Sequence, residues 1–252
     1  MQIALDPHEV QRQVELAFSL EAIIPKEGCT SRYEDVGPKQ RFEYFLFSAL
    51  NAGRYFCELA ERITKAQGQP RVFYDLAYAA MMDSQRTRGG KIVNYGLLEA
   101  MFPVVVARYA LPGGRERATE LVADVLKATS KEDVHCLSEM RRVVYTRSDK
   151  EFKRSFPFHE EGGNVFEHYQ YHRGIAHEVS RLFVEELMCG MPLATLIYET
   201  IRGSDGALAE RVERGFATAR RRSKLPCGAL ADHTAVALFL MIADDPKRQV
   251  IE

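Results

Sequence analysis

The sequence predicts an all-α fold, a single globular multi-helix domain of roughly ten helices, and three observations predict it. Apolar residues recur at spacings of three and four nearly throughout. No stretch alternates as a half-buried strand would. No internal repeat or low-complexity tract divides the chain. With 252 residues and 46% hydrophobic content, there is enough apolar material for one sizeable core spanning 1–252.

The first helix is expected to start at Asp6 as N-cap with Pro7 at its first position. Val10, Val14, Ala17, Leu20 and Ile24 share one face, and Pro25 stops the helix. A second is expected over 40–66, carrying Phe42, Phe45, Leu46, Ala49 and Phe56. A third covers 72–83 and a fourth 95–109, with a bend near Pro103. Helices over 115–129 and, shorter, after Ser130 follow; Ser130 and Asp133 nearly match a capping box. Residues 146–164, "TRSDKEFKRSFPFHEEGGN", are charged and aperiodic and read as a long loop or lid. Helices are expected again over 165–189, 192–201, 207–222 and 231–243.

Charge excludes some functions. Thirty-four basic side chains against 35 acidic ones leave a formal charge of −1, which gives no global field for nucleic acid or an anionic membrane. The longest strongly apolar run, "AMFPVVVARYAL", is broken by proline and arginine and is too short to span a bilayer. The five cysteines are dispersed without a C-x-x-C pair, and the N-terminus lacks a signal-like run. A soluble protein of the reducing cytoplasm is expected, with a homo-oligomer compatible.

Four stretches can carry chemistry. In "RTRGGKIVNYGLLEA", Gly89 and Gly90 free backbone N–H groups for an anion, Arg88 and Lys91 add charge, and a helix opens after Asn94. The spacing is not that of a Walker loop, so the stretch reads as either a phosphate cradle or a tight connection. "IIPKEGCTSRYEDV" sets Lys26 and Arg32 for phosphate beside Glu34 and Asp35, acids suited to hydrated Mg²⁺; an ordinary solvated loop is the alternative. In "EHYQYHRGIAHE", His168 and His172 share a helix face as metal ligands or as hydrogen-bonding histidines, with Glu178 close behind. In "LPCGALADHTAVALFLMI", Asp232 and His233 open a helix that is otherwise apolar all round. Asp232 is then either a dipole-favoured residue or a carboxylate pointing into a cleft, where it needs a partner.

Taken in order, these stretches resemble the triphosphoribosyl-dephospho-coenzyme A synthase family, in its shorter archaeal-type and methylotroph-type form. Pro25, Lys26, Glu27, Gly28 and Arg32 stand where that family has Pro-Lys-Pro-Gly and a basic residue. "FEYFLFSAL", with Ser48 and Ala49, matches its Phe-x-x-(hydrophobic)-x-x-Ser-Ala helix. Gly89, Gly90, Lys91, Asn94 and Gly96 loosely match its Gly-Gly-Asn turn, and "CGALADHTAVALFL" its closing glycine, Ala-Asp and apolar helix. Glu27, the Lys91-Ile92-Val93 run and Arg173-Gly174-Ile175-Ala176 depart from the pattern.

The resemblance implies an all-helical transferase acting on ATP as substrate, with Mg²⁺, and on a nucleotide-type acceptor, with release of adenine. It implies phosphate or nucleotide contacts from Lys26, Arg32, Arg88, Gly89, Gly90, Lys91 and Asn94. Catalytic carboxylates would be Asp232, Glu178 or Asp35, with Mg²⁺ on Asp35 or Asp232. Two alternatives stand beside it: a step in tetrahydromethanopterin-linked one-carbon cofactor biosynthesis, and a non-catalytic helical binding or partner protein.

Overall fold

Asp6 and Pro7 open the first helix as their order predicts: the Asp6 carboxylate accepts the His8 N–H at 3.0 Å, and α1 runs Pro7–Ile23 before Pro25. The structure, a computed structural model, describes residues 5–36, 40–87, 93–147, 160–176 and 178–244. Among them there is no strand, only an isolated bridge between Ser31 and Glu34. The helices that follow are α2 (Phe42–Ala66), α3 (Tyr74–Thr87), α4 (Tyr95–Ala110), α5 (Gly114–Arg117), α6 (Val122–Lys127) and α7 (Lys131–Arg147). Then come α8 (Val165–Ile175), α9 (Glu178–Met188), α10 (Pro192–Gly203), α11 (Leu208–Arg222) and α12 (Cys227–Asp244).

Three expectations need correction. The helix expected over 115–129 is two, because the turn between α5 and α6 is fixed from outside. The Thr119 and Thr195 hydroxyls pair at 2.8 Å, and a Cβ on Gly190 would lie 3.0 Å from Glu120 Cα. The helix expected over 165–189 is also two: α8 ends at Ala176, whose extended backbone returns its N–H to His172 O at 2.8 Å, two residues after Gly174. The helix after Ser130 is longer than expected, 17 residues, since its apolar stripe of Val134, Leu137 and Val144 continues through Arg141. Of the predicted lid, 146–147 are helical, 148–159 lie outside the described residues, and 160–164 lead into the Asn164 cap of α8.

Two helices form the centre. Leu97–Arg108 of α4 are buried, and so is most of α12 beyond Leu230, so neither presents a polar face. Among the described helices α12 is long and apolar enough to cross a bilayer, but here it is a core helix packed on α1, α4, α10 and α11. Aromatic rings stitch the layers together. Phe56 of α2 stacks on Phe102 of α4 at 4.3 Å and takes Phe18 of α1 edge-on at 6.0 Å, while Tyr109 meets Phe239 of α12 at 6.4 Å.

Helix registers determine which ends meet. His8 lies against Cys57, and Glu15 fills the space beside Gly53, so α1 and α2 are antiparallel and Ser48 is level with the last turn of α1. Arg62 with Asp75, and Tyr55 with Asp83, set α3 antiparallel to α2. Asp133 starts α3 and α7 together. Its Oδ1 accepts the Phe73 and Tyr74 N–H groups, each at 2.9 Å. Its Oδ2 accepts the Ser130 N–H at 3.0 Å, while Ser130 Oγ accepts the Asp133 N–H at 3.3 Å. The capping box is therefore real, and shared by two helices.

Asp133→Ala would orphan three buried or half-buried N–H donors, so it should lower unfolding free energy by at least about 3 kcal/mol in urea titrations. A change under about 1 kcal/mol would mean that Asp133 does not hold the two helix starts.

Candidate functional site

The last turn of α1 holds Glu21, which is 5% exposed although it stands on the helix's apolar stripe. Pro25 turns the chain back, and Lys26 inserts its ammonium beneath the helix end. It donates to Ile24 O at 3.0 Å and to Glu21 O, and pairs with Glu21 Oε1 at 3.0 Å. A cation there satisfies carbonyls that the helix leaves open and complements the negative end of its dipole. Lys26 thus reaches the site as a buried charge whose protons are all directed to protein groups.

Gly28 follows with φ +79°, and a Cβ on it would come within 2.9 Å of Cys227 Sγ. Only glycine suits both the left-handed backbone and that closeness. The loop thereby seats on the start of α12, with Cys29 Sγ donating to Cys227 O at 3.5 Å. Burial pushes the Cys29 thiol up to about 12, the positive Lys26 offsetting only part of this, so it is neutral and not a nucleophile.

Asp232 lies in the second turn of α12. The backbone of α4 passes so close that a Cβ on Gly96 would meet Asp232 Oδ2 at 2.3 Å and Phe183 Cζ at 3.4 Å. Asn94, 9% exposed and left-handed at φ 59°, makes the turn into that helix. Among the described residues no hydrogen bond or ion pair reaches the Asp232 carboxyl. Burial raises its pKa well above the ordinary carboxylate value, and the negative charges of Glu21 and Glu99 raise it further.

Glu99, one turn into α4 and 1% exposed, is the third acid. Its Oε1 accepts Arg141 Nη2 of α7 at 2.7 Å and the Tyr169 hydroxyl of α8 at 2.6 Å. Arg141 Nε donates to the Tyr95 hydroxyl at 3.2 Å, and its guanidinium lies over the Tyr169 ring at 5.2 Å. The Tyr74 hydroxyl donates to the Glu99 backbone oxygen at 3.1 Å. Burial beside Glu99 pushes the Tyr74, Tyr95 and Tyr169 phenols up, so they act as hydrogen-bond donors. Among the described residues the cluster therefore contains three carboxylates and two paired cations, and Asp232 is the acid left over.

The structure brings Lys26, Asn94 and Asp232 to one junction of α1, α4 and α12. Arg32, Asp35 and Glu178 are exposed, and none is among the charged groups that act on Asp232. Arg32 lies over its neighbour's ring, 4.5 Å from the Tyr33 centroid. Asp35 caps α2, accepting the Phe42 N–H at 2.8 Å. Glu178 is the first residue of α9. Arg88, Gly89, Gly90 and Lys91 lie outside the described residues.

His168 and His172 are each 1% exposed with rings 4.1 Å apart, and His168 Nδ1 faces Glu161 O at 3.2 Å. Burial, with Arg141 beside it, lowers the His168 pKa to about 2, and that positive neighbour disfavours a metal cation there. His233 is buried and lowered to about 4, with Nδ1 at 2.8 Å from Ala229 O. It packs edge-on to Phe183 at 5.8 Å and serves as a neutral core residue.

Sequence reasoning missed Glu21, Glu99 and Arg141. Each had a signal: Glu21 falls on the Val14–Ala17–Ile24 stripe, Glu99 interrupts "LLEAMF", and Arg141 continues Val134–Leu137. A charge on an apolar stripe is buried and needs a partner.

A family model described as ATP:dephospho-CoA triphosphoribosyl transferase (CitG) matches residues 7–211. The match takes in Glu21, Lys26, Gly96, Glu99 and Arg141, while α12 with Asp232 lies beyond it. Neither the curated proteins nor the solved structures gave a match.

A raised carboxyl pKa in the folded state gives stability that is complete below the unfolded value, about 4, and is lost as pH rises through the folded one. Asp232→Asn carries no charge at any pH. In urea unfolding it should be more stable than wild type at neutral pH, with the difference disappearing towards pH 4. A variant destabilised at pH 7 would mean that the Asp232 carboxylate is held by partners after all.

Proposed function

Because the chain belongs to the ATP:dephospho-CoA triphosphoribosyl transferase family, we propose that the junction around Asp232 is the site where the ribose of ATP is transferred to a ribose hydroxyl of dephospho-coenzyme A. The observation that carries this reading is the excess acid: two buried carboxylates and the half-buried Asp232, with two cations between them among the described residues. In the reaction the acceptor oxygen bonds to C1′ of ATP's ribose and the C1′–N9 bond breaks. The bonding pair goes to adenine, and the triphosphate is retained on the transferred sugar.

Positive charge develops on the ribose ring as the adenine leaves. Negative charge from the acids of this junction stabilises it, and the burial of Glu21 and Glu99 limits screening by water. Asp232 is the acid with spare acceptor capacity and raised proton affinity, so it takes the hydroxyl proton. Lys26 and Arg141 pair with the other two acids instead of clamping phosphate themselves.

The triphosphate then falls to other residues: the exposed Arg32, and Arg88, Gly89, Gly90 and Lys91, whose chemistry suits it. Mg²⁺, whose part would be to screen the triphosphate charge, would take an oxygen donor such as the exposed Asp35, close to Arg32 in the chain. Phe183, whose Cζ would lie 3.4 Å from a Cβ on Gly96, gives the junction an apolar side.

The test is free adenine, measured chromatographically with Mg²⁺, ATP and dephospho-coenzyme A. Wild type should release it, and Asp232→Asn should be slower by about 100-fold or more with its helical fold intact. ATP binding without adenine release would assign a different acceptor; absence of ATP binding at millimolar concentration would overturn the reading.

A further inference from the structure

Gln85 stands in the last turn of α3 and is 2% exposed, yet among the described residues neither its amide nitrogen nor its amide oxygen has a hydrogen-bond partner. Buried amides are almost always paired, since one left bare keeps the whole cost of its lost hydration. Nothing in the cluster around Asp232 uses it.

Its position in the bundle gives it a place in the site. Helices α3 and α7 start together at Asp133 and pack along one another. Gln85, eleven residues past Tyr74, is therefore carried beyond the level of Arg141, eight residues past Asp133. Arg141 touches the Tyr95 hydroxyl at the opening of α4, one residue from the Gly96 backbone that adjoins Asp232. The antiparallel register of α2 and α3 leads to the same end of the bundle. Tyr55 meets Asp83, so Gln85 lies towards Ser48, whose buried hydroxyl is also without a partner among the described residues. Unmet polar groups thus gather at the bundle end that holds the excess carboxylate.

We propose that Gln85 reads the adenine base of ATP; this rests on the transferase reading above and adds to it the residue that recognises the base. A carboxamide presents one acceptor beside one donor. Adenine presents the complement, its 6-amino donor next to a ring-nitrogen acceptor, and the two meet in a bidentate pair. The base would supply both bonds that the folded chain leaves unmade. Since adenine is also the leaving group, Gln85 orients the C1′–N9 bond and does not itself take part in breaking it, which makes it a positioning residue.

The test compares ATP with purine riboside triphosphate, which lacks the 6-amino group, by titration calorimetry. It uses the full-length wild type and Gln85→Met, an apolar replacement of similar length. Wild type should prefer ATP by roughly 10- to 100-fold, the range expected for one bidentate contact. Gln85→Met should fold at least as stably as wild type, lose ATP affinity by a similar factor, and bind the two nucleotides alike.

A wild type that binds both nucleotides equally overturns the proposal without recourse to any variant, and so covers the case in which Gln85→Met does not fold. A variant that keeps the wild-type preference overturns it as well, leaving Gln85 as an amide hydrated by a buried water. Binding of neither nucleotide by wild type would bring down the transferase reading, and this proposal with it.

Discussion

An ionised carboxylate withdrawn from water needs a counter-charge, and among its described residues this fold supplies one fewer than it has acids at its centre. Glu21 has Lys26 and Glu99 has Arg141, each pair closed to about 3 Å or less. Asp232 has neither, and the two satisfied acids add their negative charge to its surroundings. Buried pairs of this kind do little for net stability compared with apolar packing. Their position is better explained by the field they create, which favours a proton or positive charge where Asp232 faces Gly96.

The arrangement depends on helix ends more than on helix faces. Lys26 closes the C-terminal end of α1 from below, and Gly28 allows the following loop to lie against Cys227. Gly96 allows α4 to approach Asp232. Substituting any of these would separate segments that are far apart in the chain but share one junction. Away from the junction, the aromatic contacts of Phe18, Phe56 and Phe102 and the rigid core of α4 and α12 keep the helix registers fixed. The site is therefore held to its geometry by elements that take no part in the chemistry.

Much of this was legible in the sequence. The Asp6–Pro7 start, the Ser130–Asp133 box and the apolar closing helix announce themselves through local chemistry, and they appear where the pattern puts them. Asp232 was legible too, as a lone acid in an apolar helix. The breaks between α5 and α6 and between α8 and α9 were not, because the first depends on docking by Gly190 and Thr195. Asp35 reads in the sequence as a candidate acid, and local sequence does not show that its carboxylate also accepts the first N–H of α2. Glu21 and Arg141 were visible as charges on apolar stripes, but which acid meets which base is a matter of tertiary register, and one sequence does not encode that in any short motif.

The whole account turns on the state of one carboxyl group. Titrating aspartates labelled with carbon-13 at the side-chain carboxyl, with the Asp232 signal assigned by its loss in a variant, reads that state directly in the ligand-free protein. The account predicts a midpoint well above the ordinary carboxylate range, because burial and two neighbouring acids oppose ionisation. A midpoint near the usual value of about 4 would show that Asp232 is solvated or paired, and would contradict the electrostatic basis proposed for the site.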